Sequence, residues 1–549
     1  MKESSLLILT PRCCKKWQLV NNLRTCLTKR WLRYSHTSAW KTSQCLYNIL
    51  LILTTLSKEM ATGKHFKDLP DELLVEIFSY VSMEDLAISV QHVSGRWKDV
   101  SQDNALWKKK VFSPDMNTTD EEIARCLKNM PSLKAYCPKR GTNNNIVNIL
   151  CQYCEKIDHL EFSWSQRLNK VLVKRIVEAF PNIVNLSIPL PQETRNQLEF
   201  AQLISQFQNL TTLNFKDRGT ENVAEGTLMA IADGCPSLQH LDFGYCNFPE
   251  SEIRYLLKKR GHQLLSVTLT CYISTLGHEL LCECTNLKRL NYENSNDDLP
   301  RTYVDHLSKL SKLEELKLCY FKTNQTKNIP NIFYKQSLSK LVKLSIFYCD
   351  DFDAAELTGI FRQCVELKFF YIRGYSDSGD GFKYVSNLKH LEHLDIACCD
   401  SLSDKSLEYI GAGCKNLKYL DICCCSLLTN KSVEFVCAGC PKLEFLSISE
   451  CPLMTDAVIE SVIKCKELTV LDLKWNVGIS GSHFYMIPSN LTHLKELDIC
   501  GCGNVDSKSV TKLQEEMPSL KIIEETKRQD EEGIDIDLED STFFTSHFV

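Results

Sequence analysis

The sequence predicts an α/β fold, with a small all-helical module followed by a long solenoid that has a concave parallel sheet and convex helices. Two observations predict this fold: a short apolar phrase recurs about every 26 residues, and several short amphipathic helices precede it. The chain has 549 residues, 44% hydrophobic and 24% charged, which is sufficient for a large packed core. Its net charge of −5 lacks the basic excess of typical nucleic-acid-binding proteins, so we expect no nucleic-acid partner.

Residues 1–59 form a basic N-terminal extension, which has ten Lys and Arg residues and only two acidic residues, Glu3 and Glu59. This composition resembles an organelle transit peptide, while translation from Met60 is the alternative, and both readings stay open. The apolar run at 49–53 is far shorter than the roughly 20 residues that cross a bilayer. We therefore expect this extension to be disordered, transit-like or untranslated, and we expect no membrane span.

The first structured module begins at Leu69-Pro70, because Pro suits the start of a helix and the acidic Asp71 and Glu72 favour that end. Apolar residues then recur every three or four positions and form one helical stripe, at Leu73, Leu74, Ile77, Phe78 and Val81. Further short helices are predicted from Ser82, around Trp97 and at Leu106-Trp107. So small a module leaves apolar surface to be covered by a partner.

These residues resemble the F-box over 66–112, with Leu-Pro, a Leu-Leu and Ile-Phe pair one turn apart, a Trp about twenty residues later and a final Leu-Trp. The resemblance implies docking onto the Skp adaptor of an SCF (Skp–cullin–F-box) ubiquitin ligase, with the cullin and RING subunits joined through it. By motif position, the adaptor-facing residues are Leu69, Pro70, Ile77, Phe78, Leu106 and Trp107. Leu73, Leu86 and Trp97 are expected to hold the helices together. Gly95 departs from the pattern, where a long side chain is usual.

Fifteen copies of an apolar-x-x-apolar-x-apolar phrase follow, in a repeat region that spans 151–523. Their first residues are Ile157, Ile183, Leu210, Leu238, Leu264, Leu287, Leu313, Leu341, Leu367, Leu391, Leu417, Leu443, Leu468, Leu494 and Leu520. Residues 113–150 are expected to be a linker with a degenerate first repeat near Leu133. Since strands stack about 4.8 Å apart and helices need 8–10 Å, the strands must line the inside of a curve. The phrase and period are those of leucine-rich repeats.

Thirteen of the 28 cysteines fall in two columns, three residues before and eight residues after the start of a phrase. Asn476 takes the place of a cysteine in the second column. Buried thiols act as small hydrophobic groups with weak hydrogen-bonding ability, which suits the turn after each strand. The pattern resembles the cysteine-containing leucine-rich repeats typical of F-box proteins, and it favours reduced, intracellular cysteines over disulfides.

Two local cysteine groups are candidate metal ligands: Cys151-x-x-Cys154 and the run Cys423-Cys424-Cys425. A tetrahedral zinc site needs four converging ligands, and no second pair stands at motif spacing, so we expect no metal and no cofactor. Phosphate-loop, zinc-protease and serine-hydrolase motifs are absent from the sequence, which favours a non-catalytic protein. A catalytic cysteine ligase stays an alternative.

Strand positions that alternate with the core leucines face the inside of the solenoid. Exposed aromatic rings and Arg are typical of binding hot spots, and the sequence assigns them no comparable packing role. The predicted substrate-binding residues are Tyr320, Phe347, Tyr348, Phe369, Tyr371, Arg373, Tyr419 and Trp475. Arg373 is expected to bind a carboxylate or phosphate of the substrate by donating two hydrogen bonds to it. The alternative is that the many Asp residues farther along belong to the repeat consensus and some rings cover neighbouring strands.

Residues 524–549 form an acidic tail, expected to be disordered and solvated, with a segment at 534–540 that resembles a SUMO-interacting strand. Together these features predict a substrate receptor that binds Skp through the F-box and a protein substrate through the repeats, leading to ubiquitination and proteasomal degradation. A non-degradative interaction scaffold or inhibitor is the alternative. We expect a cytoplasmic or nuclear location, or a mitochondrial one if residues 1–59 are a transit peptide.

Overall fold

The repeated phrase forms one continuous parallel sheet in the computed structural model of the chain. The structure describes residues 70–107, 110–216, 223–270, 274–293, 307–319, 338–347, 354–375 and 381–524. The expectations for the N-terminal extension and for the tail beyond Glu524, and the predicted roles of Leu69, Tyr320 and Tyr348, lie outside these residues. Within them the chain divides into two units, one holding 70–82 and 99–101 and the other holding 83–98 and 102–524.

Short helices make up the region of the F-box resemblance: α1 Asp71–Ser79, α2 Met83–Ile88, α3 Gly95–Ser101 and α4 Asn104–Trp107. Pro70 precedes α1 with a φ of −57°, and two acidic residues occupy the first turn, as the helix dipole favours. Ser94 accepts a hydrogen bond from the Trp97 backbone N–H at 3.2 Å and so begins α3.

Seventeen strands of the described chain pair in sequence order, each parallel to the next. They are β1 Val111–Phe112, β2 Ala135–Tyr136, β3 His159–Glu161, β4 Asn185–Ile188, β5 Thr212–Phe215, β6 His240–Asp242, β7 Ser266–Leu269, β8 Arg289–Glu293, β9 Glu315–Cys319, β10 Lys343–Phe347, β11 Phe369–Arg373, β12 His393–Asp395, β13 Tyr419–Asp421, β14 Phe445–Ser447, β15 Val470–Asp472, β16 Glu496–Asp498 and β17 Lys521–Ile523. The last fifteen coincide with the fifteen phrases. The predicted α/β solenoid is confirmed, and its sheet begins at Val111, before the phrases do.

Helices connect the strands and cover one face of the sheet. They are α5 Asp120–Leu127, α6 Asn144–Tyr153, α7 Lys170–Ala179, α8 Thr194–Ile204, α9 Thr227–Gly234, α10 Glu250–Arg260, α11 Thr275–Cys282, α12 Ala354–Gln363, α13 Asp404–Gly413, α14 Asn430–Gly439, α15 Val458–Val462, α16 Ile487–Asn490 and α17 Ser507–Glu516. Among the described residues, short 3₁₀ turns lie at Val90–His92, Gly261–Gln263, Gly381–Asn387 and Phe484–Met486. Among the described residues, no helix combines the length and the apolar character that crossing a membrane requires.

The core lies between the helices and the sheet. The register sets Leu394, Leu420, Leu446, Leu471 and Leu497 side by side on neighbouring strands, and all five are fully buried. Burial of an aliphatic side chain contributes about 1.5–3 kcal/mol, so the stacked leucines dominate the stability of the solenoid. The opposite face carries the residues that alternate with these leucines, and we call it the open sheet face.

Candidate functional site

Helix α1 has both buried and exposed apolar side chains. Leu74 and Phe78 are buried, whereas Pro70 and Leu73 are exposed and Ile77 is partly exposed. The prediction for Leu73 is wrong, since its side chain is 44% exposed and does not lie in the core. Pro70 at the N-cap and Leu73, Val75 and Ile77 within α1 are therefore apolar side chains that can meet a partner.

Other predicted adaptor contacts are inaccessible in this conformation. Phe78 is 1% exposed, and Leu106 and Trp107 in α4 are 3% and 0% exposed. Burial of such large apolar side chains stabilises the folded state. These three residues therefore belong to the core and do not present a free surface. Leu86 and Trp97 are buried, as expected of residues that hold the helices together.

A stack of aromatic rings runs along the open sheet face, one ring from each of four neighbouring strands. Phe369 stacks on His393 with ring centroids 4.7 Å apart, His393 on Tyr419 at 5.6 Å, and Tyr419 on Phe445 at 4.2 Å. Strand register places these residues directly opposite one another, which is why the rings meet. Burial lowers the pKa of His393 to about 4, so the ring is neutral at physiological pH.

Cations cover the aromatic rings at the other end of this face. Lys317 Nζ lies 5.7 Å from the centre of the Phe347 ring, and Lys343 Nζ lies 5.8 Å from that of Tyr371. Both distances suit cation–π attraction. Tyr371 is only 9% exposed, so its ring serves the packing of this face more than the capture of a ligand. This corrects the expectation that the ring has no comparable packing role.

Arg373 is already paired within the protein. Its Nη2 lies 2.8 Å from Asp395 Oδ2, its Nε lies 3.1 Å from the same oxygen, and Asp421 Oδ2 is 3.6 Å from Nη2. The expected free guanidinium is therefore corrected: a substrate carboxylate would compete with two buried aspartates. Burial raises the pKa of both carboxyls, that of Asp421 to about 7.

The Asp residues of the open face have a structural role. Each accepts a hydrogen bond from the backbone N–H two residues later, at 2.9–3.1 Å, and the pattern recurs at Asp242, Asp395, Asp421, Asp472 and Asp498. An Asp that bonds the backbone in this way fixes the turn at the end of a strand. The structure thus supports the reading in which these residues belong to the repeat consensus.

The second cysteine column joins consecutive repeats. Cys425 Sγ donates to the Ile396 carbonyl oxygen at 3.5 Å and Cys451 Sγ to that of Ile422 at 3.3 Å. Asn476 makes the equivalent bond to Ile448 at 2.8 Å through Nδ2. All described cysteines are free thiols. Hydrogen bonding to a turn carbonyl therefore explains why Cys and Asn alternate at this position.

Comparison with known families agrees with both modules. A family model described as F-box-like matches residues 66–113, and a model described as Leucine Rich repeat matches residues 387–411. The chain contains an F-box-like segment and a leucine-rich-repeat segment. In the structure the first match holds α1–α4 and β1, and the second ends inside α13 after passing through β12.

Two solved structures resemble this chain loosely. The Rad7 and Elc1 complex in yeast shares 16% identity at a TM-score of 0.40, over 88% of this chain and 98% of that one. An internalin (inlF) from Listeria monocytogenes shares 14% identity at a TM-score of 0.29, over 77% of this chain and 93% of that one. Neither superposition is close enough to support an inference about function.

Exposed apolar side chains line the turns that follow the strands of the C-terminal repeats. Trp475 is 57% exposed, and Leu427, Leu453 and Val477 are 50–60% exposed. Of these four, only Trp475 is among the predicted binding residues, although all four lie beyond the ends of their strands, where the alternation rule does not apply. Clustered exposed apolar groups favour a protein partner at this edge.

Two groups of metal-ligating side chains also converge. Cys398, Cys423 and Cys424 bring three sulfur atoms within 4.8 Å of one another, and Cys137, His159 and Glu161 form the second group at the same limit. Cys425, a neighbour in sequence, is instead buried with its thiol on backbone carbonyls. Spacing along the sequence does not reveal the first group, because Cys398 lies one repeat before Cys423 and only an alignment of the repeats brings the two together.

Proposed function

We propose that this F-box/leucine-rich-repeat protein is the substrate-recognition subunit of an SCF-type ubiquitin ligase. The observation that carries the proposal is the F-box match, within which α1 offers the apolar side chains Pro70, Leu73 and Ile77 to a partner. F-box resemblance implies that this partner is the Skp adaptor, which brings the cullin and RING subunits.

Substrate capture is assigned to the leucine-rich repeats. Their open sheet face carries stacked rings at Phe369, Tyr419 and Phe445, and the adjoining edge carries the exposed Trp475. Aromatic side chains of this kind supply much of the binding energy at protein interfaces. Because Arg373 is held by two aspartates, we assign recognition to the rings and the exposed apolar edge ahead of the guanidinium.

In this proposal the chain performs no chemistry of its own. A conjugating enzyme recruited through the cullin transfers ubiquitin, and the receptor contributes by raising the effective concentration of substrate lysines near it. The modified substrate is then degraded by the proteasome. The protein acts in the cytoplasm or the nucleus.

Co-purification with the Skp adaptor tests the proposal. Leu73→Ala combined with Ile77→Ala removes apolar contact from the accessible side of α1, and we expect at least a tenfold loss of adaptor affinity. Glu72→Ala, an exposed position on the same helix, is the matched control and is expected to bind as wild type. Undiminished binding by the double variant, with an unchanged melting temperature, would contradict the assignment of α1 as the adaptor contact.

A further inference from the structure

The turn after each C-terminal strand contains a residue with left-handed backbone conformation. Cys398, Cys424, Glu450 and Trp475 have φ angles of 54–59°, and glycine occupies the equivalent position 501 with a φ of 74°. Positive φ is uncommon for residues other than glycine. The turn geometry is thus imposed by the repeat, and it turns the chain out of the strand at these positions.

A backbone hydrogen bond ties each of these residues to the following repeat. The Cys398 N–H donates to the Cys423 carbonyl oxygen at 2.8 Å, and the Cys424 N–H donates to that of Ser449 at 2.9 Å. Glu450 and Trp475 make the same bond to residues 474 and 500. Three residues therefore lie together at each junction between two repeats. They are the left-handed residue of the first repeat, the left-handed residue of the following repeat, and the residue that immediately precedes the latter.

At one junction all three positions are cysteine. Cys398 is exposed, Cys423 and Cys424 are partly exposed, and their sulfur atoms lie within 4.8 Å of one another. The three following junctions combine different residue types. The first consists of Cys424, Ser449 and Glu450, the second of Glu450, Lys474 and Trp475, and the third of Trp475, Cys500 and Gly501. The repeat fold does not require thiols here, since the same turn forms without them.

We propose that Cys398, Cys423 and Cys424 form a binding site for one thiophilic metal ion, with Zn²⁺ as the occupant. Zinc–sulfur bonds of about 2.3 Å at tetrahedral angles set sulfur atoms roughly 3.8 Å apart, and the three sulfur atoms here lie within 4.8 Å of one another. Three thiolates satisfy three positions of the ion, and the exposure of Cys398 leaves the fourth open to water. Thiolate ligands select zinc over harder ions such as magnesium.

The two repeats that supply the trio are tied to each other by their backbones. The backbone bonds between the two repeats hold the three Cα positions in place before a metal binds. In the second group, Glu161 is already paired with Lys216 at 3.0 Å, which makes that group the weaker candidate.

Cobalt titration of the full-length protein tests the site. The chain is purified in reductant, stripped with a chelator and titrated with Co²⁺, whose thiolate complexes absorb in the near ultraviolet. We expect one equivalent of Co²⁺ per chain, a sulfur-to-cobalt charge-transfer band, and its loss on adding Zn²⁺. Cys398→Ser and Cys424→Ser should each weaken binding at least tenfold.

Cys500→Ser is the matched control, because Cys500 occupies in a later repeat the position that Cys423 occupies here. It should retain the cobalt band, and thermal melting should show all variants folded. Absence of the band in the wild type would overturn the proposal. So would an unchanged titration of Cys398→Ser, a loss caused by Cys137→Ser, or a disulfide among the three cysteines in protein isolated under rapid alkylation.

Discussion

Arg373 and Asp395 form an ion pair across strands β11 and β12, with Nη2 and Oδ2 2.8 Å apart. The Asp395 side chain is 4% exposed, and that of Asp421, 3.6 Å from the same guanidinium, is 5% exposed. One cation thus compensates two buried carboxylates in the middle of the open sheet face. Such a group is costly to disrupt, because removal of one partner leaves charge buried without compensation.

Arg373→Ala is therefore expected to lower the free energy of unfolding by about 3 kcal/mol. Urea denaturation at neutral pH measures the change. Lys474→Ala is the control, because Lys474 pairs with Asp472 and Asp498 at 3.4 and 3.6 Å but is 34% exposed, and its removal should cost less than about 1 kcal/mol. Equal losses in the two variants would mean that the Arg373 pairs contribute no more than surface ion pairs.

His393 makes the stability of the repeats sensitive to acid. Burial lowers its folded-state pKa from 6.5 to about 4. As the pH falls from about 6.5 to 4, the unfolded chain binds the proton first, so the free energy of unfolding decreases through this window, by about 2 kcal/mol between pH 7 and pH 5. His393→Phe keeps a ring between Phe369 and Tyr419 and should flatten this pH dependence in urea denaturation at pH 7, 6 and 5. A wild-type dependence that persists in the variant would contradict this account.

Asn476 carries more hydrogen bonds than the cysteines of its column. It is fully buried, donates to the Ile448 and Leu473 carbonyls at 2.8 and 2.9 Å, and accepts from the Cys451 N–H at 2.9 Å. Asn476→Ala should cost about 3 kcal/mol of unfolding free energy, because these buried backbone groups lose their partner. Asn476→Cys should restore part of it, since a thiol serves this position in other repeats. Identical melting temperatures for the two variants would argue against the hydrogen-bonding role.

Helices α13 and α14 approach closely at two glycines. A Cβ on Gly439 would meet the Gly411 carbonyl oxygen at 2.0 Å, whereas a Cβ on Gly95 has no atom within 4 Å. Gly439→Ala should therefore destabilise the protein by about 2 kcal/mol or more, and Gly95→Ala should be neutral or slightly stabilising. Differential scanning calorimetry compares them. A smaller effect at Gly439 than at Gly95 would contradict the observed helix spacing.

The strands could be predicted because their cause is local and repeated. Leu394 and Leu420 recur at one repeat distance, and a buried leucine at that spacing dictates both the strand and its register. Strands β1 and β2 begin the same sheet as two-residue elements, which a six-residue phrase detects poorly. Helical spacing also predicts an apolar stripe on α1 without showing which of two adjacent leucines is buried. Leu74 is buried and Leu73 is exposed, so the prediction for Leu73 is wrong.

The ion pair and the cysteine group could not be predicted from single repeats, because each is formed by side chains from two neighbouring repeats. Arg373 and Asp395 are 22 residues apart in sequence, and their pairing follows from strand register, so inspection of single repeats left Arg373 free. The grouping of Cys398 with Cys423 has the same origin. Alignment of the repeats by their left-handed turn position would have revealed both.

The proposal that this chain links a captured protein to a ubiquitin ligase is tested most directly by proximity labelling in cells. The ubiquitin on the labelled proteins is measured under proteasome blockade, with and without neddylation blockade. Four chains are compared: wild type, Leu73→Ala/Ile77→Ala, Tyr419→Ala/Trp475→Ala, and the convex-helix control Lys405→Ala. We expect wild type and the control to label and ubiquitinate the same proteins in a neddylation-dependent manner. The α1 variant should label them without ubiquitination, and the open-face variant should lose the labelling itself. Ubiquitination that is unchanged in the α1 variant, or labelling that is unchanged in the open-face variant, would contradict the account.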